Sequence, residues 1–252
     1  MVLLVASVSV FGADLNCNKT GNTEELRYAW RVRGGLRFLA GLVFPTAGVG
    51  NLKTTFADKI HSELLITAPS GKQGGFYAYE SDMDQAGSKT LMTYHAYEWG
   101  DKSRSDRTVF DYAKGLSRSR KETPQDSENR VKKLPAGQDQ FRDILTAIYF
   151  LRQNAGTLNH PVQTSIFSDG KEYPVIFRPA EHKTFVIEGK NIAASAFDIV
   201  DAPGGKKWPG GVKVWLTNDD RRIPVRIEIT QSMASLQLDL KSVESCALIA
   251  GL

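Results

Sequence analysis

Most of this sequence alternates between apolar and polar residues, and only one segment has the spacing of a helix. Within residues 137–156, apolar side chains recur three and four positions apart, at Phe141, Ile144, Leu145, Ile148 and Leu151. This spacing places them on one face of an amphipathic helix, which we predict at about 139–154. Asp139 and Asp143 lie toward the start of this helix and Arg152 toward its end, as the helix dipole favours, and Gly156 is the predicted C-terminal cap.

The rest of the chain repeats the two-residue period of β-strands. One predicted strand starts at Glu24, and Gly34-Gly35 predicts a turn into a second strand, whose apolar row at 36–44 includes Phe38. The polar segment 122–133 is predicted to be a loop. Further strands are predicted at 60–67, 76–80, 90–99, 108–112, 116–121, 162–168, 173–178, 184–188, 192–200, 212–216, 223–229 and 236–240.

The number of strands constrains the fold more than any motif. Even roughly eleven of these strands at about 4.8 Å spacing form a sheet on the order of 50 Å wide, whereas one helix covers about 10 Å of it. A single helix therefore leaves most of the apolar face uncovered. We predict a mainly β protein with a curved antiparallel sheet that either folds onto itself or keeps an open cavity for an apolar ligand.

The first thirteen residues, MVLLVASVSVFGA, form an apolar run that ends in small residues. We interpret residues 1–13 as a signal peptide, although a buried first strand is an alternative. No other stretch approaches the roughly 20 apolar residues that a transmembrane helix needs. Because no Pro/Ser-rich linker or internal repeat divides the chain, we expect 14–252 to form a single exported all-β domain.

Charge and functional motifs exclude several classes of protein. The net charge is +4 and the basic residues are interleaved with acidic ones, so no nucleic-acid partner is expected. The sequence has no GxSxG, HExxH or Walker motif, and its four histidines are scattered. We therefore predict no catalytic residues, no metal site and no cofactor.

Three segments then indicate a family: ELRYAWRV, DILTAIYFLRQNAG and VWLTNDDRRIPVRIEI, in this order. The sequence resembles the bacterial family known as domain of unknown function 3108, most specifically at two blocks, the first around Asp143 to Arg152 and the second around Trp215 to Val225. The resemblance implies a periplasmic protein with a half-open β-barrel like that of the periplasmic lipoprotein carriers, plugged by one helix. The family has no established activity.

Five residues are candidates for binding a ligand. Arg152 falls on the apolar face of the helix, so it either pairs with an acid such as Asp219 or Asp220 or clamps a carboxylate or head group at a pocket mouth. Phe150 points away from that face and either belongs to the core or lines a ligand space. The other candidates, which would flank an apolar tunnel, are Phe38, Tyr149 and Trp215.

Three functions remain open at this point. The first is a non-enzymatic envelope protein that binds or carries a lipid, or another apolar ligand, with a lipid or lipoprotein as partner. The second is a structural or interaction module of the envelope that binds another protein and no small ligand. The third is a hydrolase that acts on envelope material.

The two cysteines, Cys17 and Cys246, generate a test of the predicted compartment. In an oxidising compartment they can close nearly the whole chain into one loop, which contributes about 4 kcal/mol by the chain-entropy estimate. We predict a Cys17–Cys246 bridge, and the alternative is two unpaired thiols. Mass spectrometry of the unreduced mature protein should show a mass two hydrogen atoms below that of the reduced form, and two alkylatable thiols would rule the bridge out.

Overall fold

The structure is a computed structural model that describes residues 15, 18–19, 21–34, 46–68, 75–135, 140–168, 170–208, 210–231 and 234–247. The predicted signal peptide, Cys17 and the predicted strand that includes Phe38 lie outside these residues. Among the described residues, no helix is both long and apolar enough to cross a membrane.

Fifteen strands and one α-helix make up the described fold. The helix, α1, spans Ile144–Asn154, and a short 3-10 helix spans Tyr112–Lys114. The strands are β1 Asn18–Lys19, β2 Thr23–Arg33, β3 Ala47–Phe56, β4 Ile60–Thr67, β5 Gly75–Met83, β6 Thr90–Trp99, β7 Lys102–Asp111, β8 Leu116–Glu122, β9 Ser127–Lys133, β10 Val162–Ser168, β11 Lys171–Ile187, β12 Lys190–Asp201, β13 Gly210–Thr217, β14 Pro224–Gln231 and β15 Ala234–Cys246.

All strands belong to one curved sheet in the order β10-β11-β12-β13-β14-β15-β2-β3-β4-β5-β6-β7-β8-β9. Every pair along this order is antiparallel, and β1 adds to β15 in parallel, with Asn18 opposite Ser245. The two ends of the order, β9 and β10, form no strand pair with each other among the described residues. The predicted fold class is therefore confirmed: the protein is a half-open barrel with one amphipathic helix on its apolar face.

The core lies between the concave face of the sheet and α1. Leu145, Ala147, Ile148 and Leu151 are buried on the helix and join one continuous cluster with side chains of the sheet. That cluster draws on both halves of the sheet, for example Leu52 of β3 and Phe177 of β11. The curvature thus brings strands that are distant in the sheet order onto the same helix. The sheet therefore covers the part of its own apolar face that one helix is too narrow to cover.

The helix begins five residues later than predicted, because the segment before it is used as a backbone bridge. Phe141 O accepts a hydrogen bond from Thr90 N of β6, and Arg142 O accepts one from Phe167 N of β10, each at 2.7 Å. These residues are therefore extended. Asp143 then caps the helix, and its side chain accepts a hydrogen bond from Thr146 N at 2.8 Å.

The C-terminal end of α1 also differs from the prediction. Gly156 is not a left-handed cap, because the cap residue is Ala155 in right-handed geometry. The Arg222 guanidinium instead donates to the last carbonyls, to Arg152 O at 3.0 Å and to Gln153 O at 2.7 Å. A side chain at Gly156 would come within 2.5 Å of Arg222 Nη2, so this glycine permits the close approach.

Three predictions of local structure were wrong for identifiable reasons. The polar segment 122–133 is not a loop, since its second half forms β9 at the edge of the sheet, where both faces are exposed and no apolar alternation is needed. The predicted strands 173–178 and 184–188 are one strand, β11, with a register shift at Pro179. Strand β3 was not predicted, because its glycines interrupt the apolar pattern of a strand. At Gly48 a Cβ would lie 2.6 Å from Trp30 Nε1, so the indole of Trp30 occupies the space of a side chain there.

Thr90 provides a test of the bridge before the helix. Its Oγ1 accepts a hydrogen bond from Asp143 N at 2.9 Å in a fully buried position. Thr90→Val keeps the shape but leaves that N–H without its acceptor, so we expect a loss of about 1–3 kcal/mol in the free energy of unfolding. Thr67→Val, at an exposed hydrogen bond to Val49 O, is the matched control and should change it by less than about 0.5 kcal/mol. Equal effects in urea denaturation would contradict this role.

Candidate functional site

A cavity of about 220 Å³ lies between the first turns of α1 and the concave face of the sheet. The helix contributes residues 143–145 and 148 to its wall. The sheet and its loops contribute Leu64, Tyr79, Thr93, His95, Asp106, Thr108, Ile166, Phe167, Ser168, Gly170, Trp208, Val212, Ile227 and Ile229. The space therefore lies where β4–β7 face β10, β13 and β14 across the barrel.

The two sides of this cavity differ in chemistry. The helix, β13 and β14 contribute only aliphatic side chains apart from Asp143, including Ile148, Val212 and Ile227. Strands β6 and β7 contribute hydroxyls, an imidazole and a carboxylate, at Thr93, His95, Asp106 and Thr108. The cavity is thus mainly apolar with one polar wall, which is the usual composition of a small-molecule site.

An aromatic row on the concave face extends from the cavity toward solvent. The Tyr79 ring stacks on His95 with centroids 4.8 Å apart, and both residues line the cavity. Tyr97 lies 6.4 Å from His95 and 5.7 Å from Tyr77, whose side chain is 36% exposed. These rings form a continuous apolar path between the cavity and the surface.

Neither carboxylate of the cavity is arranged for acid–base work. Asp143 is buried, and burial raises the pKa of its carboxyl, while its oxygen is held by the helix cap to Thr146 N. Asp106 forms a salt bridge at 3.3 Å with Arg104, two residues earlier on the same strand. Both groups therefore have structural partners.

No group of three or more His, Cys, Asp or Glu side chains that could hold a metal ion occurs within the described ranges. His95 and Asp106 are cross-strand neighbours in β6 and β7, but they do not belong to such a group.

Arg152, the leading candidate of the sequence analysis, is used inside the fold. Its guanidinium makes a bidentate pair with Glu24, at 2.7 and 2.9 Å, and donates to the carbonyls of Arg221 and Arg222, each at 3.1 Å. The side chains of Arg152 and Glu24 are 8% and 5% exposed. Burial disfavours the charge of Arg152, but the neighbouring Glu24 carboxylate outweighs it and raises the pKa of the guanidinium.

The predicted pairing of Arg152 with an acidic residue is correct, but its partner is Glu24 and not Asp219 or Asp220. Asp219 instead pairs with Arg221 at 2.9 Å. Glu24 lies at the start of β2, 128 residues away in the chain, and no local pattern connects it with the helix. An internal structural role accounts for all of the described contacts of Arg152. None of these contacts supports the alternative role as a ligand clamp.

Two further candidates on the helix pack away from the cavity. Tyr149 is buried in a small cluster with Ile60 and Met83, and its ring lies 5.8 Å from that of Phe56. Phe150 is covered by the Arg142 guanidinium at 4.2 Å. The opposite side of the helix is therefore covered too, as the core reading of Phe150 predicted.

Trp215 faces the other side of the sheet from the cavity. It is 4% exposed and packs edge-on against Phe185 with centroids 5.3 Å apart. The ammonium groups of Lys183 and Lys213 lie about 6 Å from its ring. Phe38 lies outside the described residues, so the four candidates that the structure describes are all absent from the cavity wall.

The residues that do line the cavity left two signals in the sequence. Leu145 and Ile148 were on the predicted helix face, and Ile227 and Ile229 were on a strict one-sided strand stripe. The aromatic row was missed as a site, because pairing between β5 and β6 brings its rings together only in three dimensions.

The Arg152–Glu24 pair generates a stability prediction. Arg152→Ala leaves a buried carboxylate without its partner, so we expect a loss of about 3–5 kcal/mol in the free energy of unfolding. The double variant Arg152→Met/Glu24→Leu removes both charges and should lose less than the single variant. Arg178→Ala, at the exposed pair with Asp198, is the control and should lose at most about 1 kcal/mol. Urea denaturation measures all three, and an unchanged midpoint for Arg152→Ala would contradict the structural role.

Among solved structures, a beta-barrel-like DUF1849 protein from Brucella abortus aligns with a TM-score of 0.56 at 10% identity, over 89% of this chain and 98% of that one. This alignment supports the fold alone. Lipoprotein LppX from Mycobacterium tuberculosis aligns with a TM-score of 0.27 at 13% identity, over 90% and 89% of the two chains. A lipoprotein from Parabacteroides distasonis aligns with a TM-score of 0.29 at 7% identity, over 92% and 100%.

No curated protein has a sequence significantly similar to this chain. The family comparison matches residues 39–241 to the proteins of unknown function called DUF3108, which confirms the resemblance noted from the sequence. The matched region includes α1, the aromatic row and the whole described cavity wall. The chain therefore belongs to the DUF3108 family.

Proposed function

We propose that this protein is an exported, non-enzymatic protein of the bacterial cell envelope that binds a small apolar ligand, such as a single lipid chain, between α1 and the sheet. The observation that carries the proposal is the mainly apolar cavity of about 220 Å³ inside the open barrel. Export rests on the apolar run at residues 1–13 and on the predicted pairing of Cys17 with Cys246.

The cavity volume limits what the ligand is. An apolar cavity of about 150 Å³ is enough to bind benzene, so a space of 220 Å³ holds roughly nine heavy atoms. This is enough for a short single chain or for the end of a longer one. It is too small for an entire diacyl lipid, so a larger lipid would place only part of itself between α1 and the sheet.

The polar wall limits the orientation of the ligand. Thr93, His95 and Thr108 make one side of the cavity polar, whereas Val212 and Ile227 make the other side apolar. An elongated molecule with one polar end satisfies both sides, because its polar group takes the hydrogen bonds that the aliphatic side cannot make. The aromatic row from Tyr79 to Tyr77 provides the apolar path of entry.

The alternative is an interaction module of the envelope without a small ligand. Its support is that every candidate residue described on α1 or β13 is used in packing or ion pairing. The two proposals make different predictions for the cavity, because an interaction module needs no ligand bound there. A direct binding measurement with a matched blocking variant therefore distinguishes them.

1-Octanol suits this measurement, since its nine heavy atoms match the estimated capacity of the cavity. We expect titration followed by NMR to shift amide signals of cavity-lining residues such as Leu145 and Val212. Ile229→Trp enlarges a half-buried side chain of the wall and should weaken binding at least about tenfold by filling the space. Val186→Trp, at a side chain 74% exposed on β11, is the control and should bind as the unmodified protein does.

The same variants serve for the natural ligand. Native mass spectrometry of protein purified from a bacterial periplasm, followed by organic extraction, should reveal a bound apolar molecule that Ile229→Trp lacks. If octanol shifts no cavity signal and the purified protein carries no extractable molecule, the ligand proposal is overturned and the interaction module takes its place.

A further inference from the structure

The basic residues of this protein are concentrated in the strands at one end of the sheet. Residues 102–133, which include β7, β8 and β9, contain ten Lys or Arg and five Asp or Glu, a net charge of +5. The whole chain has a net charge of +4, so all remaining residues together carry −1. The excess of positive charge therefore lies in this stretch of the chain, and strand alternation divides its basic side chains between the two faces of β7–β9.

The outer face of these three strands combines cations with exposed apolar side chains. The register places Val109 of β7 opposite Arg118 of β8, which lies opposite Val131 of β9. In the next row, Arg107 lies opposite Arg120. Val109 and Val131 are 41% and 64% exposed, and the side chains of Arg118 and Arg120 are 54% and 63% exposed. We call this face, with Lys133 at its edge, the basic face.

Protection of a sheet edge explains only part of this pattern. Lysines on an edge strand discourage pairing with another chain, which accounts for Lys133 and its neighbour on β9. It does not account for Arg107 and Arg118, because β7 and β8 are hydrogen-bonded on both sides. Nor does it account for the exposed valines, since apolar side chains at an edge favour aggregation.

Internal ion pairs do not neutralise the basic face. Arg118 approaches Asp111 at 3.6 Å, but Lys114 shares the same carboxylate at 3.2 Å. Arg120 pairs with Glu122 at 2.6 Å on the exposed surface. Exposed pairs of this kind contribute little and exchange readily for other anions. The cations therefore remain available to an external partner.

We propose that the basic face docks onto an anionic lipid surface. Arginines interleaved with aliphatic side chains suit the boundary between head groups and acyl chains, where the cations contact phosphate and the valines enter the apolar layer. An acidic protein partner would need the charges but would gain less from an alternating row of valines and arginines. Strand β7 also connects this face with the cavity, because Asp106 and Thr108 on its other side line the cavity wall.

Docking in this orientation would hold the cavity beside a membrane, which is a source of apolar molecules. The basic face does not depend on an occupied cavity, however. Ile229→Trp should therefore bind lipid vesicles like the unmodified protein even if it no longer binds octanol. The two proposals thus fail or succeed separately.

Vesicle sedimentation tests the basic face. We expect the protein to bind vesicles of phosphatidylglycerol and phosphatidylcholine, and to bind pure phosphatidylcholine far less. Binding should weaken steeply between about 0.01 M and 0.15 M salt, as the screening length falls from roughly 30 Å to 8 Å. Arg118→Glu/Arg120→Glu should weaken binding by at least about 25-fold, since each basic residue near an anionic surface contributes roughly fivefold.

The matched control is Arg178→Glu/Lys183→Glu, which makes the same change in net charge at exposed positions on β11. It should retain vesicle binding to within about threefold, with circular dichroism confirming that both variants are folded. Equal losses in the two double variants, or no binding to anionic vesicles at low salt, would overturn the proposal. Binding to poly-L-glutamate without binding to vesicles would overturn it in favour of an acidic protein partner.

Discussion

The attachment of α1 to the turn before β14 is the contact on which the rest of this fold depends. Arg152 donates to the backbone of Arg221 and Arg222, and Arg222 donates back to the last carbonyls of the helix. Glu24 balances the buried charge of Arg152 from β2. The last turns of the helix are thereby tied to the turn before β14 and to β2, near the middle of the sheet order. Because these charges are buried, their hydrogen bonds must all be made together.

The other end of the helix is held in a different way. The extended residues Phe141 and Arg142 bond to β6 and β10, which lie on opposite sides of the sheet opening. A sheet with two unpaired edges is thus held in a curve without closing completely. The cavity follows from this arrangement, because an 11-residue helix fills only part of the space that a curved 14-strand path encloses.

The two proposed surfaces use opposite sides of the same strands. On β7, alternate residues face the cavity and the solvent, so Thr108 lines the cavity while Val109 is exposed on the basic face. The proposed binding cavity and the proposed membrane-docking face are therefore separated only by the thickness of the sheet. This geometry links the apolar ligand of the first proposal to the anionic lipid surface of the second.

The sequence by itself determined the antiparallel strand pattern, the existence of one amphipathic helix and the family, because alternation and helical spacing are local properties. It predicted β4 and β6 with the observed ends, and it placed Ile148 on the buried helix face. Only the tertiary structure decided that Arg152 pairs with Glu24 and that Trp215 faces away from the cavity. Those outcomes depend on curvature and on pairing between distant strands, and a one-residue change in the register of a strand would have reversed the face of every side chain on that strand.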